Sequence, residues 1–301
     1  MSDHTQATAV PVEMVQRDGG RRVAVHRLAS GKAGRTLVLC HAAPGSGLFD
    51  PLPEQTRSRD VTLLAPDRPG YGLSDPLPAG EWASVGAAAD DLAAALDQLG
   101  TGPVGVAGWS AGGRVALALA ARRPDLVDRV VLLGTPAPNE QVAWVPREYQ
   151  AALERMRDLA PDQVRAALVQ QFSQAIPHDA PPEALLELLG ASDADSTALA
   201  LPGARDRLAR MLQAALAQGV TGLAAEIAGY SLQPWGFAPA EVRAKTLLLY
   251  GSRDPQIGPK HGRWWQQQLP DARLEVAPGE GHLLIMPLWH RVLAHLAPQR
   301  R

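Results

Sequence analysis

The chain has 301 residues, of which 46% are apolar and 20% are charged. This composition supports a sizeable buried core in one large domain or two small ones, and it argues against disorder over most of the length. Lysine and arginine number 29 against 31 aspartate and glutamate residues, so the charge gives no reason to expect a nucleic acid or an anionic membrane surface as partner.

The first residues lack the basic and apolar regions of a signal peptide, and no stretch reaches about 18 uninterrupted apolar residues, so we expect neither a signal peptide nor a membrane-spanning helix. The single cysteine, Cys40, excludes an internal disulfide framework and a cysteine-based zinc site. Because it lies in the apolar run TLVLC, we expect a buried structural thiol. A cytoplasmic location follows as the default expectation.

Residues 12–134 predict strands and helices in alternation. Residues 12–28 alternate in a pattern typical of a β-hairpin, with Asp18-Gly19-Gly20 at its turn. Short apolar runs predict strands at 36–41, 61–67, 104–109 and 129–134, and helical patterns cover 84–100 and 111–122. Ser84 is the expected N-cap of the first helix, on which Asp90 and Asp91 are expected to be solvated charges.

The alternation stops at Pro136, and the sequence then predicts only helices as far as about Trp235. Their expected spans are 147–159, 161–176, 182–190 and 204–218. After Pro239 the alternation resumes with strands at 246–251 and 273–277 and a helix over 283–296. We therefore predict an α/β core of residues 12–135 and 236–298, with a mostly parallel sheet covered by helices on both faces. A helical lid of residues 136–235 is inserted in it, and residues 1–11 and 299–301 are expected to be flexible termini.

One short motif combines a strand end with a helix start. Gly108-Trp109-Ser110-Ala111-Gly112 matches G-x-S-x-G in the setting where a serine hydroxyl projects from a strained turn. Glycines two residues before and two residues after the serine allow the strand and helix to pack closely. Ser110 is therefore the predicted nucleophile.

A serine hydroxyl needs a base and an acid that orients the base. Of the eight histidines, His282 alone stands in a glycine-rich loop, Gly279-Glu280-Gly281-His282, after the last predicted strand. Asp254 directly follows the strand at 246–251. The chain order Ser110, Asp254, His282 is the order that a hydrolase sheet produces, so these residues are the predicted catalytic triad.

Together with His41-Ala42-Ala43-Pro44-Gly45 and the segment from Asp67 to Asp75, DRPGYGLSD, these motifs resemble the α/β-hydrolase fold superfamily. The resemblance is to its capped branch of esterases, C–C bond hydrolases and haloperoxidase-like enzymes, and it covers the predicted core. It implies an oxyanion hole made by the backbone N–H groups of Ala43 and Ala111. Ala42 departs from the glycine usual in that loop, which puts the placement of the Ala43 amide in question. The DRPGYGLSD segment is expected to brace the same loop.

The predicted function is hydrolysis of an ester-like bond, in a carboxylic ester or a lactone, through an acyl-enzyme. The substrate is expected to be small, uncharged and fairly apolar, and Trp109, Trp144, Phe172 and Trp235 are candidate pocket residues. No metal or organic cofactor is implied, and neither nucleic acid nor membrane is an expected partner. A C–C bond hydrolase or an amidase on the same triad is an alternative, and so is a non-catalytic ligand-binding protein on a hydrolase scaffold.

Overall fold

The computed structural model describes residues 10–176 and 181–299, and eight strands of this part form one sheet. The strands are β1 (Val12–Gln16), β2 (Arg22–Ala29), β3 (Thr36–Cys40), β4 (Thr62–Pro66), β5 (Val104–Trp109), β6 (Val127–Leu133), β7 (Lys245–Gly251) and β8 (Ala272–Ala277). Their order across the sheet is β1-β2-β4-β3-β5-β6-β7-β8. Strand β2 is antiparallel to β1 and β4, and all other neighbours are parallel. The predicted α/β class and mostly parallel sheet are confirmed.

Eleven α-helices of the described residues lie between and after these strands. They are α1 (Pro53–Ser58), α2 (Val85–Gln98), α3 (Gly112–Arg122), α4 (Arg147–Glu154), α5 (Pro161–Ala175), α6 (Pro182–Leu188), α7 (Ser196–Leu199), α8 (Ala204–Ala215), α9 (Thr221–Leu232), α10 (Pro259–Gln268) and α11 (Trp289–Leu296). The Ser84 hydroxyl accepts a hydrogen bond from the Ala87 N–H at 3.0 Å, as expected of an N-cap. The helix expected over 283–296 begins only at Trp289.

The sheet is buried on both faces, as the apolar runs predicted. Alternate residues of β6 divide between two clusters: Val131 and Leu133 pack on the side of α11, and Val130 and Leu132 pack on the side of α2 and α3. Cys40 lies in the second cluster at 2% exposure. Burial raises the pKa of its thiol to about 12, despite the opposing charge of Arg68.

Helices α4 to α9 follow β6 and precede β7, and the described residues between these strands contain no strand. Several hydrogen bonds join this inserted segment to the sheet-bearing part of the chain. The Ser46 hydroxyl donates to the Met211 carbonyl at 3.0 Å, and the Gln218 amide donates to the carbonyls of Gly72 and Ser74 at 2.9 and 2.8 Å. The predicted flexible termini lie almost wholly outside the described residues. Within those residues, no helix combines the length and hydrophobicity needed to cross a bilayer.

The expectation for Asp91 was wrong. Its carboxylate is 5% exposed and accepts hydrogen bonds from Arg17 at 2.9 Å and from Arg21 at 2.6 and 2.7 Å. These contacts join α2 to the β1–β2 hairpin, which packs over that face of the helix. Asp90 does face solvent, where it pairs with Arg122 at 2.7 Å.

We expect Asp91→Ala to lower the free energy of unfolding by about 2–3 kcal/mol, because it leaves two partly buried arginines without their shared carboxylate. Asp90→Ala is the matched control and should cost less than about 1 kcal/mol, since its pair is exposed. Urea denaturation followed by circular dichroism measures both values. Equal losses in the two variants would contradict the importance of the Asp91 contacts.

Candidate active site

Ser110 follows β5 directly and occupies the left-handed region, with φ of 53°. The turn is tight because three glycines let α3 approach the sheet. A Cβ at Gly108 would lie 2.6 Å from the carbonyl oxygen of Gly112, and one at Gly113 would collide with the Thr135 hydroxyl. The backbone therefore holds the serine at the edge where β5 ends, at the start of a helix.

Asp254 follows β7 and contacts His282, which follows β8. Its Oδ2 accepts a hydrogen bond from His282 Nδ1 at 2.6 Å, and its Oδ1 accepts from the N–H groups of Gln256 and Ile257 at 3.0 and 2.8 Å. Burial alone would raise the pKa of this carboxyl, but the hydrogen bond and charge of His282, together with the two N–H donors, lower it below 3.8. An ionised Asp254 fixes the imidazole orientation and leaves Nε2 free to act as a base.

The backbone and the ring of His282 each have a further close neighbour. The Trp109 indole N–H donates to the His282 carbonyl at 3.0 Å. Gly134 lies beneath the ring, so close that an added Cβ would be 3.1 Å from Cε1 and Nδ1. The Trp109 bond fixes the backbone of His282, and the close approach of Gly134 restricts movement of the ring.

Asp195 of the inserted segment holds the same loop, and sequence reasoning did not find it. Its carboxylate is 0% exposed, accepts a hydrogen bond from the Leu283 N–H at 2.6 Å and also binds the Ser192 N–H at 2.9 Å. The spacing Ser192-x-x-Asp195 is a capping-box pattern. That pattern could have indicated a local turn but not the distant partner Leu283.

A cavity of about 320 Å³ brings Ser110 and His282 together with residues of the inserted segment. Of the four predicted pocket residues, Trp144 and Phe172 line it. Trp109 does not, because it is fully buried beneath His282, at a ring distance of 6.2 Å. Trp235 lies outside this cavity and borders an adjoining cleft.

Ala43 and Ala111 also line the cavity. Neither backbone N–H donates a hydrogen bond to another described residue, so both are free to bind a ligand oxygen. Ala42 stands where the α/β-hydrolase fold superfamily usually has glycine. It is 1% exposed, and its methyl group packs in the core. It therefore stays out of the cavity.

Arg68 braces the loop that carries Ala43. Its guanidinium donates to the carbonyls of His41 at 2.6 Å and Ala42 at 3.0 Å, and it forms a buried ion pair with Glu226 of α9 at 3.0 Å. Both side chains of the pair are 5–6% exposed. The loop and the inserted segment are thus joined through one arginine.

No group of three or more histidine, cysteine, aspartate or glutamate side chains within 10–176 and 181–299 is arranged to hold a metal ion. The polar groups of the cavity include a serine, a histidine backed by a carboxylate and two free N–H groups, beside other polar side chains such as Arg114 and Glu226. Such a set can deliver a nucleophile, move a proton and bind a developing oxyanion.

Two curated proteins of the same name have similar sequences. The pimeloyl-[acyl-carrier protein] methyl ester esterase of Aromatoleum aromaticum is 34% identical over 182 residues, which are 59% of this chain and 66% of that protein. The one of Chromobacterium violaceum is 30% identical over 184 residues, 60% of this chain and 63% of that protein. The chain thus covers slightly less than two thirds of either relative.

Solved structures share the fold over nearly the whole chain. A hydrolase from Pseudomonas aeruginosa PA01 superposes with a TM-score of 0.71 at 20% identity, covering 96% of this chain and 98% of that one. A thermophilic esterase from Thermogutta terrifontis gives a TM-score of 0.67 at 23% identity, covering 94% and 95%. The family model described as alpha/beta hydrolase fold matches residues 35–287. This match covers most of the chain and includes the turn at residues 108–112 (the elbow), Asp254 and His282, so the chain belongs to the alpha/beta hydrolase fold family.

Proposed function

We propose that this protein is a serine hydrolase that cleaves a carboxylic ester or a lactone of a small substrate through an acyl-enzyme. The observation that carries the proposal is the convergence of Ser110 and His282 on one cavity, with Asp254 bound to the far side of the imidazole at 2.6 Å. The names of the two curated relatives, both methyl ester esterases, support the same class of bond.

In the first half of the reaction, His282 accepts the hydroxyl proton as the Ser110 oxygen attacks the carbonyl carbon. The carbonyl oxygen becomes an oxyanion, which the N–H groups of Ala43 and Ala111 bind. The imidazolium returns its proton to the leaving alkoxide, so an alcohol departs and the acyl-enzyme remains. Water then attacks the acyl carbon with His282 again as base, and the carboxylic acid and free Ser110 are released.

The inserted segment, residues 136–235, acts in this proposal as a lid that shapes the substrate site. Its apolar side chains make up much of the cavity wall: Met156, Leu168, Phe172, Leu223 and Ile227. They would bind an apolar acyl or alcohol portion by removing it from water, which contributes about 25 cal/mol per Å² of buried apolar surface. The lid would therefore favour substrates whose apolar acyl or alcohol chain has a matching length.

Ser110→Ala is expected to abolish labelling by a fluorophosphonate probe and to lower kcat on the best ester by about 10⁶-fold, because the nucleophile is removed. Ser231→Ala provides a matched control, since Ser231 borders the same cavity. It should keep both labelling and turnover. Labelling that persists in Ser110→Ala, or disappears in Ser231→Ala, would contradict the assignment.

Asp254→Asn should lower kcat by about 10⁴-fold, because an amide no longer holds the imidazole in the required tautomer. It should also alter the pH dependence of stability. The pKa of Asp254 is lowered in the folded protein, so its ionised form stabilises the fold above the unfolded-state pKa of about 3.9, and this stabilisation disappears as the pH falls through the lower folded value.

The excess stability of the wild-type protein over Asp254→Asn should therefore shrink from about pH 5 downwards. Denaturant titrations at stepped pH measure the difference. A constant difference down to about pH 2 would show that Asp254 does not contribute through its charge.

Phe172→Ala should shift the preferred chain length of p-nitrophenyl esters upwards, because it enlarges the apolar wall. Each additional buried methylene contributes about 0.8 kcal/mol, or roughly fourfold in kcat/KM. Leu159→Ala is the control, since Leu159 is 42% exposed and lies on the same segment away from the cavity. A chain-length profile unchanged by Phe172→Ala would remove the selective role of the lid.

A further inference from the structure

Arg114 lies in the first turn of α3, directly after the elbow, and borders the same cavity as Ser110. It is 6% exposed. Its guanidinium lies 4.5 Å from the ring centre of Trp235 and 5.8 Å from that of Trp144. Its one hydrogen bond to a described residue is a long one, from Nε to the Pro136 carbonyl at 3.4 Å.

The positive charge of Arg114 has no carboxylate partner among the described residues. The acid whose charge influences it most, Glu226, is held by Arg68 through contacts of 3.0 and 3.1 Å. Burial lowers the pKa of Arg114 to about 10, although the charge of Glu226 opposes that effect. The group remains charged at neutral pH, and a buried charge without a counter-ion costs free energy unless a ligand supplies one.

A second donor without an acceptor lies on the same wall. Trp144 Nε1 is buried and makes no hydrogen bond with any residue of 10–176 or 181–299. Arg114 and Trp144 both border the cavity of Ser110 and the adjoining cleft of about 250 Å³. Hydrogen-bond donors without acceptors at the junction of two cavities fit an acceptor-rich, negatively charged ligand.

We propose that Arg114 binds an oxyacid anion, a carboxylate or a phosphate, at the end of the substrate remote from the scissile ester. The substrate would then be an ester joined through an apolar spacer to that anion, with the spacer against the lid and the anion against the guanidinium. The proposal rests on the assignment of Ser110 as nucleophile, and it replaces the expectation of an uncharged substrate.

The test compares monomethyl esters of straight-chain dicarboxylic acids with methyl alkanoates of equal length. At the best spacer length, the wild-type kcat/KM should favour the anionic ester by about 10- to 100-fold, the range of a charge-assisted contact. Arg114→Met should remove this preference for the anionic ester, and Arg114→Lys should keep part of it. A parallel series ending in a phosphate monoester distinguishes the two anions.

Arg155→Met is the matched control, because it removes one exposed positive charge from the inserted segment and should leave the ratio unchanged. Fluorophosphonate labelling of Ser110 verifies that each Arg114 variant is folded. A wild-type enzyme that favours the neutral ester at every length, or an Arg114→Met variant that is labelled and keeps the ratio, would overturn the proposal.

A binding experiment separates the proposed anion site from the assignment of the protein as a serine hydrolase. In Ser110→Ala protein, monomethyl esters of dicarboxylic acids should quench tryptophan fluorescence at lower concentration than methyl alkanoates of equal length, and Arg114→Met should remove the difference. Such binding without ester turnover in the wild type would uphold the anion site and overturn only the hydrolase assignment. Turnover of neutral esters without this binding would overturn the anion site alone.

Discussion

The passage of β5 into α3 occupies so little space that side chains are excluded from Gly108, Gly112 and Gly113, and the backbone of Ser110 is left-handed with φ of 53°. A non-glycine residue there carries strain of about 1–3 kcal/mol, which close packing of the helix on the sheet must offset. Because the neighbouring strands are parallel, their carboxyl ends meet at this same edge. The sheet topology thus places Asp254 and His282 near Ser110. Because Ser110 and Arg114 both lie at the start of α3, small movements of this helix would displace them together.

Two buried carboxylates of the inserted segment reach into the α/β part of the chain. Glu226 pairs with Arg68, which holds the carbonyls of the loop carrying Ala43, and Asp195 binds the residue after His282. Both contacts exclude water, so their geometry is stiffer than that of exposed pairs. The segment consequently positions the loops of Ala43 and His282 as well as lining the cavity that Ser110 borders.

The strands, the elbow and the positions of Ser110, Asp254 and His282 could be predicted because each depends on a local pattern: an apolar run, a glycine spacing or a strand end. Helix α9 was missed because burial on nearly every side leaves no amphipathic stripe, and α10 because the segment PKHGRWWQQQ is largely polar. Asp91, Asp195 and Arg114 were beyond prediction for another reason. Their environments are built by residues distant in sequence, such as Arg17, Leu283 and Trp235.

The hydrogen bond from the Leu283 N–H to the Asp195 carboxylate limits how freely the insertion could be exchanged between related enzymes. A foreign insertion of the right shape that lacked an acceptor at this point would leave a buried N–H unsatisfied one residue from His282, at a cost of about 1–3 kcal/mol. The insertion is therefore not a freely interchangeable module. Chimeras should be designed with a grafted carboxylate at this junction, or with the His282 loop taken from the same parent as the insertion.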